Sequence, residues 1–125
     1  MNKLHIITVT DGNIKPLIIT MKSIDNQNFR NFKNLIISKK KINDSIKEYK
    51  NSRRIIFFRK NSSIYEAMNY GLKKSKNNSV LFLNSGDTFS SKTSLKKIFK
   101  QIKNNPKKCL MFITILKNEN NYFFP

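Results

Sequence analysis

The feature that most constrains this chain is a regular alternation between short β-branched apolar runs and segments with helical spacing. Leu4 to Thr10 is one such run, and Asp11-Gly12-Asn13 behind it is turn chemistry. From Ile14 onward Leu17, Ile18, Met21 and Ile24 share a helical face, with Pro16 admissible in the first turn. Asn34 to Ser38 is a second strand, Asn43 or Asp44 caps a short helix to Lys50, and Ile55 to Arg59 is a third strand. Ser63 and Glu66 have capping-box spacing, and Ile64, Ala67, Met68, Gly71, Leu72 and Ser75 follow along one side of a helix. Val80 to Leu83 is a fourth strand, and Ser90 or Ser91 caps a helix carrying Leu95, Ile98, Phe99 and Ile102. Cys109 to Leu116 reads as a fifth strand, and residues 117–125, without a clear period, as an irregular tail.

This alternation predicts an α/β fold: a mainly parallel sheet with helices on both faces and right-handed crossovers. The near-continuous apolar strands agree with a sheet covered on both sides. A chain of 125 residues supports one core, so residues 1–116 are expected to form a single domain. In open sheets of this kind the ligand lies beyond the carboxyl ends of the strands. Here those ends are Thr10-Asp11-Gly12, Ser38 followed by Lys39-Lys40-Lys41, Arg59-Lys60-Asn61, and Asn84-Ser85-Gly86-Asp87.

Composition removes several classes. With 38% hydrophobic residues and ten Phe the chain is not wholly disordered, and its apolar runs are far too short to span a bilayer. The first residues lead directly into Leu4-His5-Ile6-Ile7, which is not a secretion signal, so a cytoplasmic location is expected. Cys109 is the sole cysteine and His5 the sole histidine, which argues against disulfide frameworks, cysteine-rich zinc sites, His-ligated metals and Cys–His acyl transfer. The glycine loop of a dinucleotide-dependent oxidoreductase does not follow the first strand.

The net charge of +18, from 25 Lys+Arg against 7 Asp+Glu, attracts polyanions. The chain holds 21 Lys, 18 Asn and 17 Ile, all residues of A/T-rich codons, a bias of the kind an A/T-rich genome would produce. An alternative reading is a non-catalytic basic module for nucleic acid or an anionic membrane. Against nucleic acid, the pairs Lys73-Lys74, Lys96-Lys97 and Lys107-Lys108 are spread over several elements and form no stripe interleaved with aromatics.

Asn84-Ser85-Gly86-Asp87 is the most informative loop. It places hard oxygen donors at a sheet edge, chemistry that suits Mg²⁺ or Mn²⁺ bridging to phosphates. The same residues also suit an ordinary strand-to-helix turn with Asp87 as a capping residue.

Three stretches carry a resemblance: Ile7-Thr8-Val9-Thr10, Ser63 to Leu72 (SIYEAMNYGL), and Leu81 to Asp87 (LFLNSGD). In order and spacing they resemble the family 2 glycosyltransferases, closest to the bacterial branch that assembles surface polysaccharides such as colanic acid, capsule and the O-antigen of lipopolysaccharide. Family members look like "ITVTYNN", "GIYDAMNKGI" and "LNSGD" at these places. The resemblance covers roughly residues 4 to 104 and implies the Rossmann-like nucleotide-binding half of a GT-A fold. It further implies transfer of a sugar from a nucleotide-diphosphate donor with Mg²⁺ or Mn²⁺.

By that resemblance Thr10 and Asp11 lie beside the nucleotide base, Asn69 faces the donor sugar or diphosphate, Asn84 and Ser85 fill the metal loop, and Asp87 holds the cation. Ser38 stands where the family usually has an Asp that reads the uracil or ribose, and three lysines follow it. Asn61 likewise replaces a second donor-site carboxylate. Gly71 fits equally a close helix-to-sheet contact. No catalytic residue is assigned: the family's base lies in a later half, and after Asp87 the only acid is Glu119. The resemblance therefore implies a truncated donor-binding half, either an inactive remnant or one completed by a partner. It also implies a lipid-linked acceptor at the anionic inner face of the membrane.

Overall fold

A computed structural model describes residues 3–76, 78–105, 116–117 and 122–123. Four strands run parallel: β1 (Leu4–Thr10), β2 (Phe32–Ser38), β3 (Arg54–Phe58) and β4 (Ser79–Phe82), in the order β3-β2-β1-β4. Helix α1 (Ile14–Asp25) carries the chain from β1 to β2, α2 (Ile64–Ser75) from β3 back across to β4, and α3 (Ser94–Asn104) follows β4. The strand order reverses at β1, whose partners are β2 on one side and β4 on the other.

The period-2 alternation of β1 and β2 sorts their side chains between two cores. Leu4 and Ile6, in register with Phe32 and Asn34, point to the face covered by α1 and α3. There Ile24 of α1 and Leu95 of α3 meet them, while Leu17 and Met21 pack on Ile36, Ile42 and Ile46 farther along. Ile7, Leu35 and Ile37 point to the other face, against Ala67 of α2. Helices thus cover both faces, as the apolar runs of β1 and β2 require.

Two helix starts differ from expectation, both for tertiary reasons. Between Asn43 and Lys50 only a 3-10 turn forms, at Lys47–Tyr49, since Ile42 and Ile46 bury one short apolar face and nothing continues it. Helix α3 begins at Ser94, not after Ser90 or Ser91. Residues 89–92 are held instead against the end of α1: Phe89 N–H donates to Ser23 Oγ, Gln27 Nε2 donates to the Ser91 carbonyl, and Asn28 N–H donates to the Lys92 carbonyl. The Ser63–Glu66 capping box on α2 is formed in both directions, and the Ser63 bonds hold the Glu66 carboxyl below its ordinary pKa.

A buried polar chain crosses the α1 face. Asn34, fully buried, donates to the Ile6 carbonyl and to Thr8 Oγ1 and accepts from Arg54 Nε. Arg54, whose side chain is 1% exposed, also grips Asp25 at the end of α1 through two bonds of 2.8 and 3.2 Å. Within this Asn34–Arg54 network no buried side-chain nitrogen or oxygen lacks a hydrogen-bond partner, which is what makes the burial tolerable.

The expected fifth strand, Cys109 to Leu116, lies outside the described residues except for Leu116. That residue belongs to a separate antiparallel ladder, β5 (Leu116–Lys117) with β6 (Tyr122–Phe123). The stretch expected as an irregular tail therefore contributes Lys117, Tyr122 and Phe123 to strand pairing.

Gly71 is where α2 comes down on the sheet: a Cβ there would sit 2.7 Å from Ile7 Cγ2. Gly71→Ala must lift the helix or displace a fully buried Ile. The expected result is a loss of about 1–3 kcal/mol, read as a lower urea midpoint with an unchanged slope.

Candidate functional site

The strand-order reversal opens a crevice at the carboxyl ends of β1 and β4. Its inner part is a cleft of about 280 Å³. Val9, Thr10 and Asp11 line it from β1 and its turn, Asn13 and Pro16 from the start of α1, and Asn84 and Ser85 from the loop after β4. Lys39, Ser62, Ile64 and Ala67 close the remaining sides.

Local bonds shape each wall. Thr10 Oγ1 accepts from Gly12 N–H, and Asp11 Oδ1 accepts from Asn13 N–H at 2.9 Å, so the turn folds back on itself and launches α1. Gly12 sits at φ +100°, a conformation that favours glycine. Opposite, β4 parts from β1 in an orderly way. Leu83 N–H donates to the Ile7 carbonyl and Ser85 N–H to the Val9 carbonyl, while Val9 N–H donates to the Asn84 side-chain oxygen. Asn84 thus completes the ladder with one end of its amide and faces the cleft beside it.

The loop beyond is governed by a residue the sequence reading did not single out. Thr20 of α1 is fully buried, its hydroxyl 2.8 Å from the Asp87 carbonyl, to which it donates. The same oxygen accepts from Gly86 N–H at 2.8 Å. This pins the turn in which Gly86 adopts φ +98° and brings it alongside Pro16 at the crevice wall. The available signal was faint: Thr20 interrupts an otherwise apolar helical face between Leu17 and Ile24.

Of the residues singled out from sequence, the structure brings Thr10, Asp11, Asn84 and Ser85 to the cleft. Asp87 stands exposed at the end of the pinned loop, its backbone N–H bonded to the Asn84 carbonyl and its carboxylate without a hydrogen bond among the described residues. Ser38 and Asn69 are not brought to the cleft. The Ser38 hydroxyl is buried and turned onto its own chain, donating to the Lys40 carbonyl at 2.7 Å and accepting from Lys40 N–H. Asn69 is exposed on α2; it is two residues from the buried Ala67, about 200° round the helix. His5 lies at the opposite end of β1, its pKa lowered by burial and by Lys33 and Lys3.

A parallel sheet covered on both faces, with a polar crevice at its switch point, is the architecture of nucleotide-binding α/β domains. Comparison with known proteins is specific. Residues 5–125 match the model of glycosyl transferase family 2, so the chain belongs to that family. No curated protein matches it. Among solved structures it is similar to S. aureus TarS, with a TM-score of 0.67 at 18% identity over 98% of this chain and 23% of that one. The structure of TarS residues 1–349 gives the same score and identity over 98% of this chain and 38% of that one. The shared fold is the GT-A fold. The chain spans less than two fifths of either.

Thr20→Val keeps the volume of the side chain but leaves Gly86 N–H and the Asp87 carbonyl unanswered. Amide exchange at Gly86 is expected to accelerate by about tenfold or more, with Thr20→Ser restoring the protection. Equal exchange in all three proteins would show the loop to be held by something else.

Proposed function

We propose that this chain binds the nucleotide-diphosphate sugar donor of a glycosyl transfer, in the assembly of a bacterial surface polysaccharide. The observation that carries the reading is convergence. Thr10 and Asp11 from the first motif and Asn84 and Ser85 from the last, more than seventy residues apart, line one cleft, and the free Asp87 carboxylate stands at the end of the same loop. Family membership supplies the chemistry that such a cleft serves.

The residues fit a cation that arrives with its phosphate. Among the described residues no three His, Cys, Asp or Glu side chains cluster, so a dedicated protein cage is not formed. Mg²⁺ and Mn²⁺ need none, as they are commonly held by one or two carboxylates together with substrate phosphates and water. Asp87 would be that carboxylate, and the bound ion would neutralise the leaving diphosphate. What the chain itself does is orient the ligand, through the neutral polar wall of Thr10, Asn84 and Ser85 and the apolar surface of Val9, Ile64 and Ala67. The proton acceptor for the attacking hydroxyl is assigned to no residue of this chain. For the acceptor we favour a lipid-linked saccharide at an anionic membrane surface, to which a field of +18 is attracted. Among the described residues no helix is long and apolar enough to cross a membrane.

Binding of nucleic acid by the basic surface finds less support. A stacking platform needs open aromatic faces. Here Arg59 lies 4.3 Å over the Tyr70 ring and Lys74 over both Tyr70 and Phe57, which leaves Tyr65 as the one aromatic ring more than half exposed among the described residues.

Thermal melting with UDP and Mn²⁺ tests the reading. The two together are expected to raise the midpoint by several degrees, and Asp87→Asn to remove the Mn²⁺-dependent part of the rise. No stabilisation by any nucleoside diphosphate, with or without the cation, would reduce the reading to ancestry.

A further inference from the structure

Beside the apolar residues Leu17, Met21 and Ile24, helix α1 carries a second stripe: Thr20, Ser23 and Gln27 recur at spacings of three and four. The stripe is polar, yet Thr20 is fully buried and Gln27 nearly so. Buried polar groups need partners, and these find them in the main chain of residues 86–95. Thr20 Oγ1 accepts from Gly86 N–H and donates to the Asp87 carbonyl, both at 2.8 Å. Ser23 Oγ accepts from Phe89 N–H at 2.8 Å. Gln27 donates to the Ser91 carbonyl at 2.8 Å and accepts from Leu95 N–H at 2.9 Å. Three side chains thus do for an irregular segment what a neighbouring strand does for a regular one.

The first of the three bears on Asp87. Residues 84–87 form a tight turn, closed by Asp87 N–H on the Asn84 carbonyl at 2.9 Å, with Gly86 at φ +98° in its third position. The Thr20 oxygen lies 3.3 and 3.4 Å from the Pro16 and Asn84 carbonyls, farther than from that of Asp87, so its one proton goes to Asp87. Asp87 is therefore held at both of its main-chain groups, N–H by Asn84 and carbonyl by Thr20, while its side chain stays exposed. A cation that arrives with its phosphate takes one or two carboxylates from the protein. Nothing else on the protein side then compensates for a carboxylate whose main chain must be ordered at each binding event.

We infer that Thr20 is a positioning residue of the cation site: its hydroxyl holds the Asp87 main chain in the conformation from which the carboxylate meets the ion. Thr20 does not line the cleft and acts through Asp87. The inference rests on the reading of Asp87 as the cation's carboxylate; that the hydroxyl fixes the turn does not.

The test is Mn²⁺ binding to the full chain in the presence of UDP, followed by paramagnetic resonance of the free ion. Thr20→Val is expected to weaken Mn²⁺ binding by about tenfold, and Thr20→Ser, which keeps the hydroxyl, to restore it. Ser23→Ala is the control for loosening of the segment as such. It frees Phe89 N–H, two residues beyond Asp87, and is expected to lower the melting midpoint while Mn²⁺ affinity stays within about twofold of the parent. Gly86→Ala strains the same turn where a Cβ would meet nothing nearer than 3.8 Å, and so answers the question even if Thr20→Val does not fold. It is expected to weaken Mn²⁺ binding in the same direction. Mn²⁺ binding that is lost in Asp87→Asn but unchanged in Thr20→Val or Gly86→Ala would overturn the role of Thr20 and leave the donor reading intact. An equal loss in Ser23→Ala would overturn it as well, showing general loosening. Absence of Mn²⁺ binding by the parent with UDP would remove the donor reading and this inference together.

Discussion

The site exists because two parallel strands part without leaving a broken ladder behind. At the end of β1 the Val9 N–H, which would ordinarily meet a main-chain carbonyl, meets the side-chain oxygen of Asn84. A buried donor without an acceptor costs more than the average hydrogen bond contributes. The substitution of side chain for main chain therefore lets β4 turn away while β1 stays satisfied. On its other side β1 remains paired with β2 as far as Thr10 and Ser38. The crevice is the wedge between one neighbour that continues and one that leaves.

The parts of this architecture carried by local periodicity were readable in the residues. The run Leu4 to Thr10, the spacing of Leu17, Met21 and Ile24, and the pair Ser63 and Glu66 report their own conformations, since the interactions involved span four residues or fewer. Gly71 showed its role through chemistry alone, as a residue without Cβ on an otherwise buried face. What the chain kept hidden depends on partners far away in sequence. The late start of α3 is set by Ser23, Gln27 and Asn28, and the loop of Asp87 by Thr20, sixty-seven residues earlier. Ser38 and Asn69, assigned by the family resemblance, do not line the cleft. One hydroxyl closed on its own turn, and one amide fell on the outer side of its helix. Cys109 to Ile115 lies outside the described residues.

Charge was the loudest signal in the sequence and the least specific. Much of it is used close to home. Arg54 is buried in a polar chain, while Arg59 and Lys74 rest on aromatic rings, where the ring face is a favourable neighbour for a cation. Within the crevice, by contrast, positive charge is concentrated on one side, next to a wall of neutral side chains. The contrast between dispersed surface lysines and this grouped set is visible only in three dimensions, because Lys15 comes from the first turn of α1 and the Lys39-Lys40 pair from the turn after β2.

Strand β3 ends the four-stranded order, so one side of its backbone faces no neighbour in that sheet. An uncovered rim of this kind invites a second polypeptide to add itself and, repeated, to grow a fibre. Here Arg53 stands at one end and Arg59 and Lys60 at the other, while the Arg54 guanidinium turns inward to Asp25. Identical copies docking rim to rim would crowd these cations together, and Arg54 further nails the strand's first residue to a helix. Positive charge at both ends of an edge strand opposes pairing between identical copies, one of the ways in which exposed edges are protected.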